Sequence, residues 1–205
     1  MPAFAAALNR PPRTLTDVDQ ARVLKVTGEH RAGFRDHVIL SLALGTALRQ
    51  HEIAALDVGD VMNERGRARR RFTLRTFKHS TNKPTIQDMF LPDDALYKLT
   101  KFLDWKRNVG ESLEPSAPLF VSRRKQRIAT RTLRHVFQRW QARAELDRVF
   151  NFHALRHTAL TNVYRRKRDI RLVQRIARHK SVETTQIYAG PSDQDVLDAV
   201  RDLPC

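Results

Sequence analysis

The chain has 205 residues, 41% of them hydrophobic, which suits one domain with a real core and excludes a disordered segment. Thirty-eight Lys and Arg against 22 Asp and Glu leave a formal charge of +16, an excess that points to a polyanionic partner, nucleic acid foremost. The single cysteine, Cys205, excludes a disulfide framework within the chain and a zinc site built on cysteine pairs, and fits a reducing cytosol.

Residues 1–13 read as a flexible lead-in that includes Pro11-Pro12. They lack the basic n-region of a secretory signal, and the longest apolar run, Val38 to Leu48, is too short to cross a bilayer. A cytoplasmic location with no membrane partner is expected, nucleoid-associated if the source is bacterial. Thr16 is an N-cap candidate for a first helix, with Asp17 and Asp19 in its first turn. A second helix is predicted from Phe34 to Leu44, interrupted at Gly45-Thr46 and resumed in ALRQHEIAALDVGDV. There Leu48, Ile53 and Leu56 line one side, while Arg49 and Glu52 sit three apart on another.

Over residues 71–91 apolar and polar residues alternate, which predicts two strands joined by the turn HSTNKP, with Lys78 and Lys83 flanking its tip. A helix from Asp93 to Lys106 and a loop to Pro118 follow. In TRTLRHVFQRWQARA, Leu133, Val136, Phe137 and Trp140 share one helical face; Arg131, Arg134, His135 and Gln138 share the other. NFHALRHTALTNVYRR has Asn151 as a cap candidate and His153 and Arg156 one turn apart. Asp169 and Ser181 are the caps expected for two further helices, the second carrying Tyr188. The order of helices, small sheet and helices makes an α+β, mostly α, domain.

Arg49, Lys78, His153, Arg156, His179 and Tyr188, taken together, suggest chemistry on a phosphate. Two guanidinium forks match the non-bridging oxygens and stabilise the charge that grows in a five-coordinate transition state. A tyrosine hydroxyl, with a pKa of about 10, needs nearby cations or a histidine base to become a nucleophile. A lysine whose pKa is lowered by neighbouring cations can protonate a leaving sugar oxygen. The cations do the electrostatic work, so neither a metal nor another cofactor is required, and the clustered carboxylates of a two-metal nuclease are missing from the sequence.

These residues resemble the boxes of the tyrosine recombinase, or phage-type integrase, family. GTALRQHEIAALDVGDV resembles its first arginine box, HALRHTALT its second, and RHKSVETTQIY its third, in family order and spacing over about residues 14–190. The resemblance implies the family's catalytic domain at residues 14–190: a mostly helical fold with a small antiparallel sheet. It also implies breakage and rejoining of double-stranded DNA through a 3′-phosphotyrosyl link on Tyr188, without metal or ATP. Arg49 and Arg156 would hold the phosphate, and Lys78, or Lys83 on the same loop, would protonate the leaving oxygen. His153 would assist proton transfer and His179 would bond the phosphate, with Glu52 supporting Arg49 and His157 buttressing the site. Arg178 departs from the pattern, which usually has glycine before the third-box histidine. The family usually places a helical DNA-clamping domain ahead of this one. These 205 residues do not include it. A fragment, a naturally short recombinase and a truncated element remain open.

Backbone contacts to DNA are expected from Arg123, Arg124, Lys125 and Arg127 and from Arg165, Arg166, Lys167 and Arg168. Groove contact is expected from Arg131, Arg134, His135 and Gln138. The tail at 191–205 spaces Val196, Val200 and Leu203 as an apolar edge, suited to packing on a neighbouring subunit of a homodimer or tetramer on DNA, or to packing within the chain. Two alternatives stand beside the recombinase: a catalytically inactive DNA-binding regulator, and an enzyme like a type IB topoisomerase.

Overall fold

The structure, a computed structural model, describes residues 13–30, 32–74, 87–201 and 203. The lead-in falls almost wholly outside this set, as do HSTNKP, Lys78 and Lys83. Helix α1 spans Asp17–Glu29 and opens on a capping box: Thr16 Oγ1 accepts from Asp19 N at 3.1 Å while Asp19 Oδ2 accepts from Thr16 N at 3.0 Å. Helix α2 spans Phe34–Thr46, running two residues past its predicted end at Leu44 and through Gly45-Thr46. Gly45 does not interrupt it. It lies against Pro92, where a Cβ would come within 2.9 Å of the ring. The helix stops instead at Ala47, which takes a left-handed conformation with φ 53°. Arg49 follows directly and precedes α3, Gln50–Ala55, and α4, Val58–Val61. Leu48, Ile53 and Leu56 are buried, as their spacing predicted.

Strands β1, Arg71–Leu74, and β2, Gln87–Phe90, pair antiparallel with Phe72 opposite Met89, both buried. Helix α5 spans Asp93–Asn108, with two acidic residues in its first turn and two basic residues in its last, as the helix dipole favours. Helix α6, Thr130–Arg143, buries Leu133, Val136, Phe137 and Trp140. Helix α7, His153–Lys167, begins two residues after Asn151, whose side chain still accepts from Ala154 N at 3.0 Å. Asp169 caps α8, Ile170–Ala177, by accepting from Arg171 N and Leu172 N at 2.8 and 3.0 Å. Ser181 accepts from Glu183 N at 3.1 Å, one residue ahead of the position expected for the cap of α9, Glu183–Gln186. The tail forms α10, Asp193–Arg201.

The larger core packs α1, α2, α5 and α6 against α4, β1 and the start of α7. A second, smaller cluster gathers Ala47, Ala159, Leu160, Val173, Ala177 and Tyr188 from α2, α7, α8 and the third box. The Tyr188 ring is therefore a packing element in its own right, and the end of α2 and the end of α8 meet over it.

Candidate active site

Arg156 is the pivot of this second cluster. Its residue is 2% exposed, and its two terminal nitrogens donate to the carbonyls of Ala47 and Ala177. Those carbonyls close α2 and α8, so each lies at the negative end of a helix dipole. Sequence places the arginine on α7; two helix ends from elsewhere in the chain fix its fork. Burial first, then Arg49 and Arg178, bring its pKa down to about 10, so it remains a cation near neutral pH.

Arg49 is less constrained. Its side chain is 32% exposed and touches Glu52 Oε1 through Nη1 at 3.1 Å, while its backbone N–H donates to Glu52 Oε2 at 2.6 Å. Glu52 is buried, and its second partner is Arg178, whose Nη2 donates to Oε2 at 2.5 Å. Burial by itself would raise the Glu52 carboxyl. Arg178 and then Arg49 outweigh burial and hold it below the ordinary carboxylate range. The sequence reading assigned Glu52 to Arg49 and missed this second ion pair. The signal was the Arg178 departure itself: the residue caps α8 with φ 57°, a left-handed conformation that costs a side-chain-bearing residue roughly 1 kcal/mol.

Three histidines complete the surround. His179 Nδ1 lies 3.1 Å from Thr185 Oγ1, and its Nε2 lies 3.4 Å from Arg156 Nη2. One set of roles satisfies the chain: Arg156 donates to Nε2, Nδ1–H donates to Thr185, and Thr185 donates to the Ser181 carbonyl at 3.4 Å. Burial and then the cations Arg156 and Arg49 lower His179 to about 4, which keeps that neutral tautomer. His153, at the α7 N-terminus, meets His157 edge to face at 4.5 Å between ring centres. Desolvation, then Arg156 and Arg49, hold His153 below the ordinary imidazole range.

Tyr188 is 2% exposed, and its hydroxyl lies 2.9 Å from His157 Nδ1. Sequence cast His157 as a buttress; in the structure it touches the phenol directly. Burial raises the Tyr188 pKa, offset in part by Arg156 and Arg49, while burial, then His153, Arg156 and His179, lower His157 to about 4. Proton transfer from that phenol to that imidazole runs steeply uphill, so the pair rests as neutral phenol and neutral imidazole. Arg49, Glu52, His153, Arg156, His157, His179 and Tyr188 thus converge from α3, α7 and the segment after α8. Among the described residues no group of three His, Cys, Asp or Glu side chains is disposed to hold a metal ion.

The residues expected at DNA divide in two. Arg123, Arg124 and Lys125 crown an exposed turn, and Arg131, Arg134, His135 and Gln138 are exposed along α6. Arg166, Lys167 and Arg168 are exposed at the end of α7. Arg127 and Arg165 instead have their forks engaged by the chain itself, although the Arg127 side chain stays 40% exposed. Arg127 pairs with Asp57 and donates to the Ala55 and Leu56 carbonyls at 3.0 and 3.2 Å. Arg165 pairs with Asp17, Asp195 and Asp198, pinning α10 to α7 and α1. Among the described residues Val196, Leu197, Val200 and Leu203 are between 45% and 59% exposed. Among the described residues no helix is long and apolar enough to cross a membrane.

The profile described as the phage integrase family matches residues 13–195. The tyrosine recombinase XerC of Corynebacterium efficiens is 32% identical over 167 residues, covering 82% of this chain and 50% of the relative. The XerC of Vibrio cholerae strain O395 is 29% identical over 191 residues, covering 91% and 58%. The crystal structure of the XerA recombinase superposes with a TM-score of 0.76 at 25% identity, covering 95% of this chain and 66% of that one. The catalytic domain of bacteriophage HP1 integrase, at 19% identity and a TM-score of 0.56, shares the fold over 94% of this chain and 96% of its own. The chain spans about half the length of the curated relatives it matches.

Proposed function

The chain belongs to the phage integrase family, and from that premise we propose that it carries the catalytic portion of a site-specific recombinase acting on double-stranded DNA. The observation that carries this reading is the gathering around Tyr188 of two arginines whose charge works to lower its pKa and three histidines, of which His157 touches the hydroxyl, His179 lies beside the ring and Arg156, and His153 packs on His157. Tyr188 attacks the scissile phosphorus, forming a 3′-phosphotyrosyl bond, and the bond to the 5′-oxygen breaks. Arg156, rigid between two helix ends, and Arg49, free to turn, hold the non-bridging oxygens. Lys78 or Lys83 gives its proton to the leaving 5′-oxygen. His153 assists the proton's departure from the phenol, and His179 donates to the phosphate once that anion raises its basicity. Because the phosphotyrosyl link conserves the bond energy, a second 5′-hydroxyl rejoins the strand without ATP.

The resting site is closed. With its hydroxyl buried against His157, Tyr188 reaches a phosphate only after the segment carrying it moves outward. That burial also favours the second reading, a DNA-binding regulator without strand cleavage. The apolar edge Val196, Leu197 and Val200 on α10, about half exposed among the described residues, supports assembly of several copies on DNA. The exposed basic turn at Arg123–Lys125, the outer face of α6 and the end of α7 are the proposed DNA contacts, with affinity that falls steeply with salt.

The test is a pool of nicked duplexes of randomised sequence, in which cleavage beside the nick traps the enzyme. A covalent protein–DNA species that survives denaturing detergent, and disappears in Tyr188→Phe, is the expected result. An adduct that persists in Tyr188→Phe would sink the assignment of the nucleophile. Sequence-selective binding with no adduct would establish the regulator, and relaxation of supercoiled plasmid without sequence preference would favour the topoisomerase-like alternative.

A further inference from the structure

Arg178 carries three burdens that a glycine at its position would not. Its backbone is left-handed at φ 57°, its side chain is only 5% exposed, and its Nε is buried without a hydrogen-bond partner. One terminal nitrogen lies against the Met89 sulfur on β2; the other holds Glu52. Water scarcely reaches this guanidinium, so it is poorly placed to grip DNA itself. Its one strong partner is a carboxylate that also holds Arg49.

We propose that Arg178 is a positioning residue that neutralises Glu52 and thereby leaves the Arg49 fork free for a phosphate. This rests on the phosphate site described under the proposed function. Arg49, Arg156 and Arg178 carry three positive charges and Glu52 one negative charge, leaving two. A five-coordinate phosphorane carries two negative charges, so the cluster balances the transition state. Without Arg178 the net charge drops to one, and Arg49 is the ion-pair partner left to Glu52 among the described residues. Arg49 is the guanidinium that must turn outward, since both terminal nitrogens of Arg156 are already committed to backbone carbonyls. Arg178 thus converts a carboxylate that would capture Arg49 into one that merely orients it. Through Met89 it also ties this charge balance to β2, the strand that leads out of the segment bearing Lys78 and Lys83.

The consequence is a charge rescue that neither direct phosphate contact nor simple packing would produce. The probe is inorganic phosphate, titrated into the full chain and followed by the chemical shifts of the arginine Nε–H groups, with a thermal unfolding curve recorded for each variant. Removal of one charge a few ångströms away is expected to weaken phosphate binding about ten-fold or more in Arg178→Gln. The double variant Glu52→Gln/Arg178→Gln restores the net charge and is expected to bind within about three-fold of the parent chain. The adduct yield from the nicked pool should follow the same order. Losses that persist in the double variant, or an Arg178→Gln chain that binds phosphate as the parent does, would overturn the proposal. The two readouts separate the claims. A parent chain that forms no adduct defeats the recombinase reading, while the phosphate titration still decides the role of Arg178.

Discussion

Two buried carboxylates in this molecule each hold two arginines, and only one of them sits in a candidate active site. Asp36 on α2 is 1% exposed and accepts from Arg35, from Arg139 at 2.8 Å and from the Trp140 indole at 2.9 Å. Arg35 continues to the Val121 carbonyl, so the knot ties α2, α6 and the 121 strand segment together. Glu52 has the same local chemistry: two arginines and one neutral donor, the Arg49 backbone N–H. The difference lies one layer out. Beyond Glu52 stands a third arginine, Arg156, which bonds two carbonyls and, among the described residues, pairs with no carboxylate. A buried ion pair is weak evidence of function by itself. Surplus charge of one sign around it distinguishes a site from a clasp; exposure of the fork does not, since Arg139 on Asp36 is 45% exposed against 32% for Arg49.

The sharpest break of the comparison is at the nucleophile. Tyr188→Phe should abolish the adduct, a loss of at least about 10³-fold, while costing only about 1 kcal/mol for the bond to His157. Arg156→Lys should slow adduct formation by about 10²–10³-fold, since a lysine cannot span the Ala47 and Ala177 carbonyls and a phosphate together. At the other carboxylate the pattern reverses. Asp36→Asn should destabilise the chain by about 3 kcal/mol, leaving Arg35 and Arg139 without a counter-charge, and lower Tm by roughly 6–12 °C. Its adduct rate per folded molecule should not change; a fall in that rate would erase the distinction drawn between the two knots. Acid provides a subtler contrast. His157 and His179 titrate near 4 in the folded protein against 6.5 in an open chain, so they remain neutral when folded. Their folded values are depressed: the stability they contribute is full above 6.5 and drains away as the pH falls through 4. After allowance for water at these partly open rings, the double variant His157→Gln/His179→Gln should recover roughly 1 kcal/mol, about 2–4 °C, in chemical or thermal melts at pH 4.5. The smallest effect belongs to Trp140→Phe, which removes one donor to Asp36 for about 1 kcal/mol, with phosphate binding unchanged.

Much of the architecture was legible because local chemistry and tertiary structure agree. The Thr16–Asp19 box, the α6 stripe Leu133–Val136–Phe137–Trp140 and the Asp169 cap all rest on contacts within about one or two helical turns, and all three appear where the pattern put them. Gly45 misled because its role is a close approach to Pro92, 47 residues further on, which no local pattern encodes. In the predicted hairpin over 71–91 the described residues pair as the alternation suggested, Arg71–Leu74 against Gln87–Phe90, and the turn HSTNKP lies outside them. Charge alone gave no way to tell Arg127 and Arg165 from their neighbours; both are paired with acids that lie 70 and 30 residues away.

The amino-acid sequence by itself determined the family, the Thr16 and Asp169 caps and the set of residue types a phosphate would need, because motif order and helical period are properties of neighbours along the chain. Three matters were left to the tertiary structure. It decided that Arg156 is clamped by the ends of α2 and α8, that Tyr188 rests buried on His157, and that Glu52 is shared between Arg49 and Arg178. Each depends on groups brought together from distant parts of the chain. Burial then strengthens their electrostatic coupling, so the charge on one group is set by the others around it.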